Sequence, residues 1–234
     1  MNARFGADLS STTLTERING RTLPAFIAVE GPIGVGKTTL AQRLAHTLGY
    51  GELLELAGEN PFLNQFYLSG RSNALATQLY FLLQRAQQLE SLNPGALLQV
   101  DVVSDFLIEK DALFAELNLE PHEYTLYQEI HRSLRIQPPT PDLVIYLQAP
   151  TPVLLQRIRQ RGIAAEQRID PGYLEALVAA YTKFFHHYDA APLLIVNAAE
   201  IDLAHNQQHY EALLERALLM DGTRQFFNPH PTLI

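Results

Sequence analysis

The sequence contains no cysteine in its 234 residues. Disulfide bonds and thiolate metal sites are therefore excluded, and so is an extracellular scaffold that depends on disulfides. No apolar run approaches the roughly 18 residues that a membrane-spanning helix needs. Residues 1–23 lack the apolar centre of a secretory signal peptide, so we interpret them as an N-terminal arm. These absences predict a cytoplasmic protein with no membrane partner.

Basic residues are also in the minority. Lysine and arginine number 17 against 25 aspartates and glutamates, which gives a net charge of −8 at pH 7. A protein that binds DNA or RNA needs a basic face to neutralise the phosphates, so no nucleic acid polymer is expected as a partner. A small phosphorylated ligand remains possible because it requires only a local basic pocket. Hydrophobic residues make up 47% of the chain, as in a folded globular protein.

Candidate strands and helices alternate along the chain. Apolar segments typical of buried strands cover residues 24–30, 52–56, 98–104, 143–147 and 193–196. Helical spacing covers residues 37–48, 61–67, 74–92, 120–134, 152–161, 171–188 and 205–220. The alternation predicts an α/β fold with a five-stranded parallel sheet and helices on both faces. We expect one domain over residues 24–221 and a C-terminal tail over 222–234.

A phosphate-binding loop follows the first predicted strand. Residues 31–38, GPIGVGKT, fit the pattern G-x-x-x-x-G-K-[ST] between a strand and a helix. The glycines allow backbone N–H groups to point at phosphate oxygens, Lys37 offers its charge to them, and the Thr38 hydroxyl can bind Mg²⁺. The motif predicts a P-loop NTPase three-layer sandwich that uses ATP or another nucleoside triphosphate, with Mg²⁺ as cofactor. The residues assigned to the nucleotide are Gly31, Pro32, Ile33, Gly34, Val35, Gly36, Lys37, Thr38 and Thr39.

Other polar residues favour phosphoryl transfer over GTP hydrolysis. The N-K-x-D stretch that usually reads guanine in GTPases is absent. Asp105 follows the third strand and is a candidate Mg²⁺ ligand, and Glu55 stands at the end of the second strand. Residues 157–168 are rich in arginine, and Arg157 and Arg161 share one face of a helix. This segment is either a solvated surface or a lid whose arginines stabilise the transferred phosphoryl group; the P-loop favours the lid.

Between residues 26 and 202 the chain resembles the deoxynucleoside kinase family, which includes bacterial deoxyadenosine and deoxyguanosine kinases. The order and spacing of several segments carry the resemblance, since no later motif is specific alone. They read FIAVEGPIGVGKTTLAQRLA, ELAGENPFLNQFY, TQLYFLLQRAQQL, KDALFAELNL, PDLVIYLQAP, QRIRQRG…EQRID and YLEALVAAYTKFFHHYD. The resemblance implies ATP-dependent phosphorylation of the 5′-hydroxyl of a deoxynucleoside in nucleotide salvage. It also implies a homodimer joined through long helices.

The family pattern assigns roles to individual residues. Glu55 matches the general base for the 5′-hydroxyl, and a carboxylate suits that role because it is ionised at pH 7. Gln78 matches an amide that pairs with the base edge, and Arg85, with Asp111 as its possible partner, lies near the base. The catalytic set is completed by Lys37, Arg157 and Arg161. Tyr67 and Glu166 match groups that hold the sugar 3′-hydroxyl, and Leu63 and Phe114 match apolar pocket walls.

One part of the family pattern is broken. Members usually carry an acid–Arg–Ser triplet after the third strand, with the arginine close to the catalytic acid. Here the acid survives as Asp105 if the alignment is shifted by one residue, but Phe106 or Asp105 itself takes the arginine's place. Either Arg159 or Arg168 replaces the missing cation, or the substrate differs, or activity is low. The loss could cost a few kcal/mol of transition-state stabilisation.

Two alternatives to a deoxynucleoside kinase remain open. A nucleoside monophosphate kinase needs cations for the acceptor phosphate, whereas the acceptor side offers Glu55, Gln78 and only Arg85. A catalytically weak or inactive nucleotide-binding protein of the same fold would explain the missing arginine. The intact pair of Lys37 and Thr38 argues against this second alternative, because an inactive site does not need a Mg²⁺ ligand.

Overall fold

The computed structural model describes residues 18, 20–90 and 101–229. Within these ranges one sheet contains six parallel strands in the order β2-β3-β1-β4-β5-β6. The strands are β1 (Phe26–Glu30), β2 (Gly51–Leu53), β3 (Val102–Ser104), β4 (Leu143–Gln148), β5 (Leu193–Asn197) and β6 (Arg224–Phe227). The predicted α/β fold with a parallel sheet is confirmed.

Helices connect the strands. They are α1 (Lys37–Leu48), α2 (Leu63–Ser69), α3 (Ala74–Glu90), α4 (Lys110–Asn118), α5 (Pro121–Leu134), α6 (Thr151–Arg161), α7 (Pro171–His187) and α8 (Gln207–Leu218). Short 3₁₀ turns cover Ala57–Glu59, Gly70–Asn73 and Glu166–Arg168. In the described part of the chain, no helix has both the length and the apolar character that a bilayer crossing would require.

The predicted number of strands was wrong, because the sheet has six strands where five were expected. The additional strand β6 lies in the segment expected to be an irregular tail, and it pairs with β5 so that Phe226 is opposite Ile195. As an edge strand it is only half covered, and Phe226 is 68% exposed. Its sequence therefore lacks the continuous apolar run that identifies the central strands. Some predictions concern positions outside the described residues, namely 1–17, 19, 91–92, 98–100 and 230–234.

Two apolar cores bring the functional loops together. The larger core lies around β1, β4 and β5 and includes the fully buried Ile27, Ile145 and Leu194. The smaller core joins β2 and β3 to α3 and α5 through residues such as Leu82 and Tyr127. Because all the strands are parallel, the segments that follow β1, β2 and β3 emerge at one edge of the sheet. Residues 31–38, 54–60 and 105–111 therefore meet at this edge.

Candidate active site

The phosphate loop joins β1 to α1 in a conformation that requires glycine. Gly34 and Gly36 have φ angles of 82° and 106°, in the left-handed region. A Cβ atom on Gly34 would lie 2.7 Å from the Cγ1 atom of Ile158 on α6. The Nζ of Lys37 donates to the carbonyls of Gly31 at 2.8 Å and Pro32 at 3.3 Å, so it lies within the curve of the loop. Burial, and then repulsion by a second lysine at position 110, lower the pKa of Lys37.

The candidate Mg²⁺ ligands touch each other. The Thr38 hydroxyl donates to Oδ2 of Asp105 at 2.5 Å, and the backbone N–H of Glu55 donates to Oδ1 at 2.7 Å. Burial raises the pKa of Asp105, while both hydrogen bonds oppose that shift. The described residues contain no group of three histidine or acidic side chains able to hold a metal alone. A hydroxyl and one carboxylate nevertheless fit Mg²⁺, which takes its other oxygen ligands from water and substrate phosphates.

Two cations hold the carboxylate of Glu55 by one of its oxygens. The Nε of Arg85 donates to Oε1 at 2.9 Å, a second guanidinium nitrogen donates to the same oxygen, and the Nζ of Lys110 lies 3.1 Å from it. The other oxygen, Oε2, accepts no hydrogen bond from any described residue, and the side chain is 19% exposed. Although burial alone would raise the pKa of Glu55, attraction to Arg85 and Lys110 lowers it, so the group is ionised at neutral pH.

The ion pairs continue on both sides of Glu55. Arg85 also pairs with Asp111, and their side chains are only 5% and 1% exposed. Lys110 also lies 3.4 Å from Oε1 of Glu30, a carboxylate with no solvent exposure at the end of β1. Five buried or half-buried groups of alternating charge thus run from β1 to the interior of α4. We call this arrangement the charge chain; its members are Glu30, Lys110, Glu55, Arg85 and Asp111.

Gln78 and the apolar wall residues lie around this chain. Gln78 on α3 is 3% exposed, so it faces inward together with Arg85 rather than lying on the surface. Its amide has no hydrogen-bond partner among the described residues. Phe114 on α4 packs edge-on against Tyr181, with ring centroids 6.1 Å apart. Leu63, the first residue of α2, is half-buried against the smaller core.

Arg157 ties the phosphate loop to the segment that follows β5. Its guanidinium donates to the carbonyls of Val35 at 3.1 Å, Ala198 at 2.7 Å and Ile201 at 3.1 Å. All of these acceptors are backbone oxygens, so the guanidinium stands beside the loop and not over its centre. It borders a cleft of about 670 Å³ between the loop and residues 199–205, which is a candidate space for the base of the nucleotide.

Arg161 lies on the same helix and also borders this cleft. Its guanidinium pairs with Glu166 of the 3₁₀ turn, and Glu166 is close enough to Tyr67 to affect the hydroxyl of that residue. Burial is the main reason why the pKa of Tyr67 lies well above its ordinary value. Arg159 and Arg168, the two residues expected to replace the missing arginine, are both exposed.

Sequence reasoning missed the contributions of Glu30 and Lys110. Glu30 is the only charged residue in a strand that reads FIAVE, and a charge there is costly unless it is paired. Lys110 stands next to Asp111 in the sequence and was given no role there. A sequence signal did exist, because the chain contains only three lysines and one of them falls beside the predicted catalytic segments.

A nucleotide loop, a paired acid and hydroxyl for a metal, and an ionised carboxylate at the same sheet edge define a P-loop phosphotransferase. A family model described as deoxynucleoside kinase matches residues 27–218. Deoxyguanosine kinase of Bacillus subtilis is 35% identical over 193 residues, which cover 80% of this chain and 93% of that protein. Deoxyadenosine/deoxycytidine kinase of the same organism is 28% identical, with 82% and 91% covered.

A solved structure gives the same result. Deoxyadenosine kinase from M. mycoides, described with the products dCMP and a flexible dCDP bound, superposes with a TM-score of 0.70 at 27% identity. The match covers 82% of this chain and 97% of that one. The chain therefore belongs to the deoxynucleoside kinase family. It is a phosphotransferase that acts on a deoxynucleoside and takes a nucleoside triphosphate as donor.

Proposed function

We propose that Glu55 binds the 5′-hydroxyl of a deoxynucleoside and aligns it with the γ-phosphoryl group of ATP held by residues 31–39. One observation carries this assignment: the cations Arg85 and Lys110 occupy Oε1, which leaves Oε2 open to the acceptor. The backbone N–H of Glu55 also binds Asp105, whose other oxygen binds Thr38 in the first turn of α1. The backbone of Glu55 is thus connected to the donor site by two hydrogen bonds through Asp105.

The transfer itself requires little more than alignment and charge. The 5′-oxygen forms a bond to the γ-phosphorus as the bond to the β–γ bridging oxygen breaks, and ADP leaves with the negative charge. The hydroxyl proton passes to Oε2 of Glu55. Because the transition state is loose, a carboxylate of low basicity suffices if it fixes the direction of attack.

Cations on the donor side would stabilise the transferred group. Lys37 now donates to carbonyls of its own loop and is within reach of phosphates bound there. Thr38 and Asp105 would hold Mg²⁺, which when bound neutralises charge on the β and γ phosphates. Arg161 lies on α6 with Arg157, and the hydrogen bond from Arg157 to the carbonyl of Val35 fixes this helix to the loop. Arg161 is the lid arginine assigned to the developing charge.

The acceptor pocket would recognise the remainder of the nucleoside. Gln78 offers both a donor and an acceptor to the base edge, and the pair of Arg85 and Asp111 lies beside it on α3 and α4. Tyr67 and Glu166 are assigned to the 3′-hydroxyl. Leu63 and Phe114 form the apolar walls. Relatives named as deoxyguanosine, deoxyadenosine and deoxyadenosine/deoxycytidine kinases support a purine among the accepted bases.

The charges argue against a monophosphate acceptor. Among the described side chains, Arg85 is the arginine that lies on the same buried side of α3 as Gln78, and its guanidinium already binds Glu55 and Asp111. An incoming phosphate would therefore meet a cation that is already neutralised, next to an ionised carboxylate. The geometry favours an uncharged alcohol.

The protein is also proposed to act as a homodimer. Helices α3 and α5 pack on each other and expose two large apolar side chains, Leu83 at 45% and Leu126 at 44%. Exposed leucines on neighbouring long helices are a feature of association surfaces. The family resemblance implies a dimer through long helices, and α3 is one of the two longest helices in the described residues.

An acceptor screen with ATP and Mg²⁺ tests the function. Deoxyguanosine, deoxyadenosine, deoxycytidine and thymidine would be compared with their monophosphates. We expect transfer to at least one nucleoside, and Glu55→Gln should lower kcat by about 100-fold or more without weakening ATP binding. Glu52→Gln, an exposed acid on β2, is the control. Undiminished turnover by Glu55→Gln, or transfer only to monophosphates, would contradict the proposal.

A further inference from the structure

Lys110 is the cation of the charge chain that has no counterpart among the expected site residues. It is the first residue of α4, and its side chain is 3% exposed. Its Nζ lies 3.1 Å from Oε1 of Glu55, 3.4 Å from Oε1 of Glu30 and 5.9 Å from the centre of the Phe106 ring. An ammonium group this deeply buried is costly unless anions compensate it, and here two carboxylates do so.

The first of these carboxylates is fixed in place. Oε2 of Glu30 accepts hydrogen bonds from the N–H of Gly31 at 2.8 Å and from the hydroxyl of Tyr181 at 3.0 Å. Its Oε1 accepts from the N–H of Leu107 at 3.0 Å. Glu30 is thereby bonded to the first residue of the phosphate loop, to α7 and to the segment after β3. A cation that binds Glu30 is consequently fixed relative to the donor site.

The two cations on Glu55 connect it to different parts of the site. Arg85 links Glu55 to Asp111 on the base side, whereas Lys110 links it to Glu30 on the phosphate side. Phe106 stands at the place expected for the family arginine, and the exposed Arg159 and Arg168 do not supply a buried cation. Lys110 does. The ammonium of Lys110 also contributes to the lowered pKa of Lys37, so Lys110 lies near the phosphate loop.

We infer that Lys110 is a positioning residue that fixes the Glu55 carboxylate relative to the phosphate loop and supplies the buried positive charge that Phe106 cannot. The inference rests on the role proposed for Glu55. It concerns kcat rather than binding, because the ion pairs of the Lys110 side chain within the described residues are made with Glu30 and Glu55 and not with the loop or Gln78. An arginine at position 110 would keep the positive charge that pairs with Glu30 and Glu55.

Three variants test this inference: Lys110→Met, Lys110→Arg, and Lys183→Met as a matched exposed control on α7. We expect Lys110→Met to lower kcat by about 100-fold, as loss of one preorganised electrostatic group does, with KM for both substrates changed much less. Lys110→Arg should recover most of the lost kcat. Lys183→Met should leave kcat and both KM values unchanged.

A folding control separates positioning from loss of structure. Lys110→Met leaves Glu30 without its cation, so the free energy of unfolding measured with urea should fall. The kinetics are therefore measured at a temperature at which circular dichroism shows Lys110→Met to be fully folded. If Lys110 positions Glu55, the folded variant remains slow, and wild-type kcat in folded Lys110→Met would overturn the inference.

The two proposals fail in distinguishable ways. A fast Lys110→Met beside a slow Glu55→Gln would discard only the role of Lys110. A fast Glu55→Gln would remove the proposed function of Glu55 and the inference that rests on it. Equal losses of kcat and ATP affinity in Lys110→Met would show a general defect of the loop and also overturn the positioning role.

Discussion

Side chains of opposite charge alternate along the charge chain, and each interior member is shared by two neighbours. Lys110 lies between Glu30 and Glu55, and Arg85 lies between Glu55 and Asp111. Removing one partner from a buried ion pair destabilises more than the pair itself stabilises, because the remaining charge is uncompensated. The chain is therefore a means of holding Glu55 in one orientation rather than a large source of stability.

Gly34 gives a test at a single position of the phosphate loop. Gly34→Ala places a Cβ 2.7 Å from Ile158 at a φ of 82°, so we expect the free energy of unfolding to fall by about 1–3 kcal/mol. ATP binding should weaken because the loop must shift to relieve the contact. Urea unfolding and calorimetric titration with ATP measure the two effects. Gly58→Ala, whose Cβ would meet no atom within 4 Å, should leave both nearly unchanged.

The two arginines of α6 bind different partners. Arg157 and Arg161 are four residues apart on α6, yet the first binds backbone carbonyls beside the phosphate loop and the second binds Glu166 near the acceptor side. The spacing predicts a common face, but it does not predict which partner each long side chain reaches. One helix is thus tied both to the phosphate loop and to the 3₁₀ turn at Glu166.

Substitution of Arg157 tests this division. Arg157→Ala removes hydrogen bonds to the carbonyls of Val35, Ala198 and Ile201, so we expect KM for ATP to rise about 10-fold. KM for the nucleoside should change little, because these carbonyls lie on the donor side. Steady-state kinetics with each substrate varied in turn provide the measurement. Arg159→Ala on the exposed face of α6 is the control; an equal rise in both KM values for Arg157→Ala would refute the division.

Elements differ in how well sequence alone predicts them. The central strands and α1 follow from apolar runs and from the phosphate motif, because burial on both faces leaves a plain signal. Helix α4 was not predicted, since it buries Lys110 and Asp111 where an amphipathic helix would bury apolar residues. The edge strand β6 was missed because only one side of it is covered. The sequence could propose Glu55 as a candidate because it stands at the end of a predicted strand, whereas the contact of Lys110 with Glu55 depends on the fold.

At the scale of the whole molecule, the proposed dimer would cover the exposed Leu83 on α3 and Leu126 on α5. We expect the wild-type protein to have twice the chain mass of 26.2 kDa in solution. Leu83→Glu with Leu126→Glu should shift it to the monomer, because a charge on each helix would oppose association. Light scattering after size-exclusion chromatography gives the mass.

Leu68→Glu provides the matched control for this experiment. Leu68 is 49% exposed on α2, a helix that carries neither Leu83 nor Leu126. This variant should retain the dimer mass. A monomeric wild-type protein, or a dimer that survives both substitutions on α3 and α5, would contradict the proposed surface.

The charge chain also limits how this sequence can diverge. Because each charged group is shared, a neutral replacement at one position leaves an unpaired charge at the next. Substitutions at these positions are therefore expected to occur together. A descendant that lost the amine at position 110 would be expected to have acquired a cation nearby, for example at position 106. Positions 30, 55, 85, 110 and 111 would then be inherited as one set, and the identity of any one of them would be informative only together with the others.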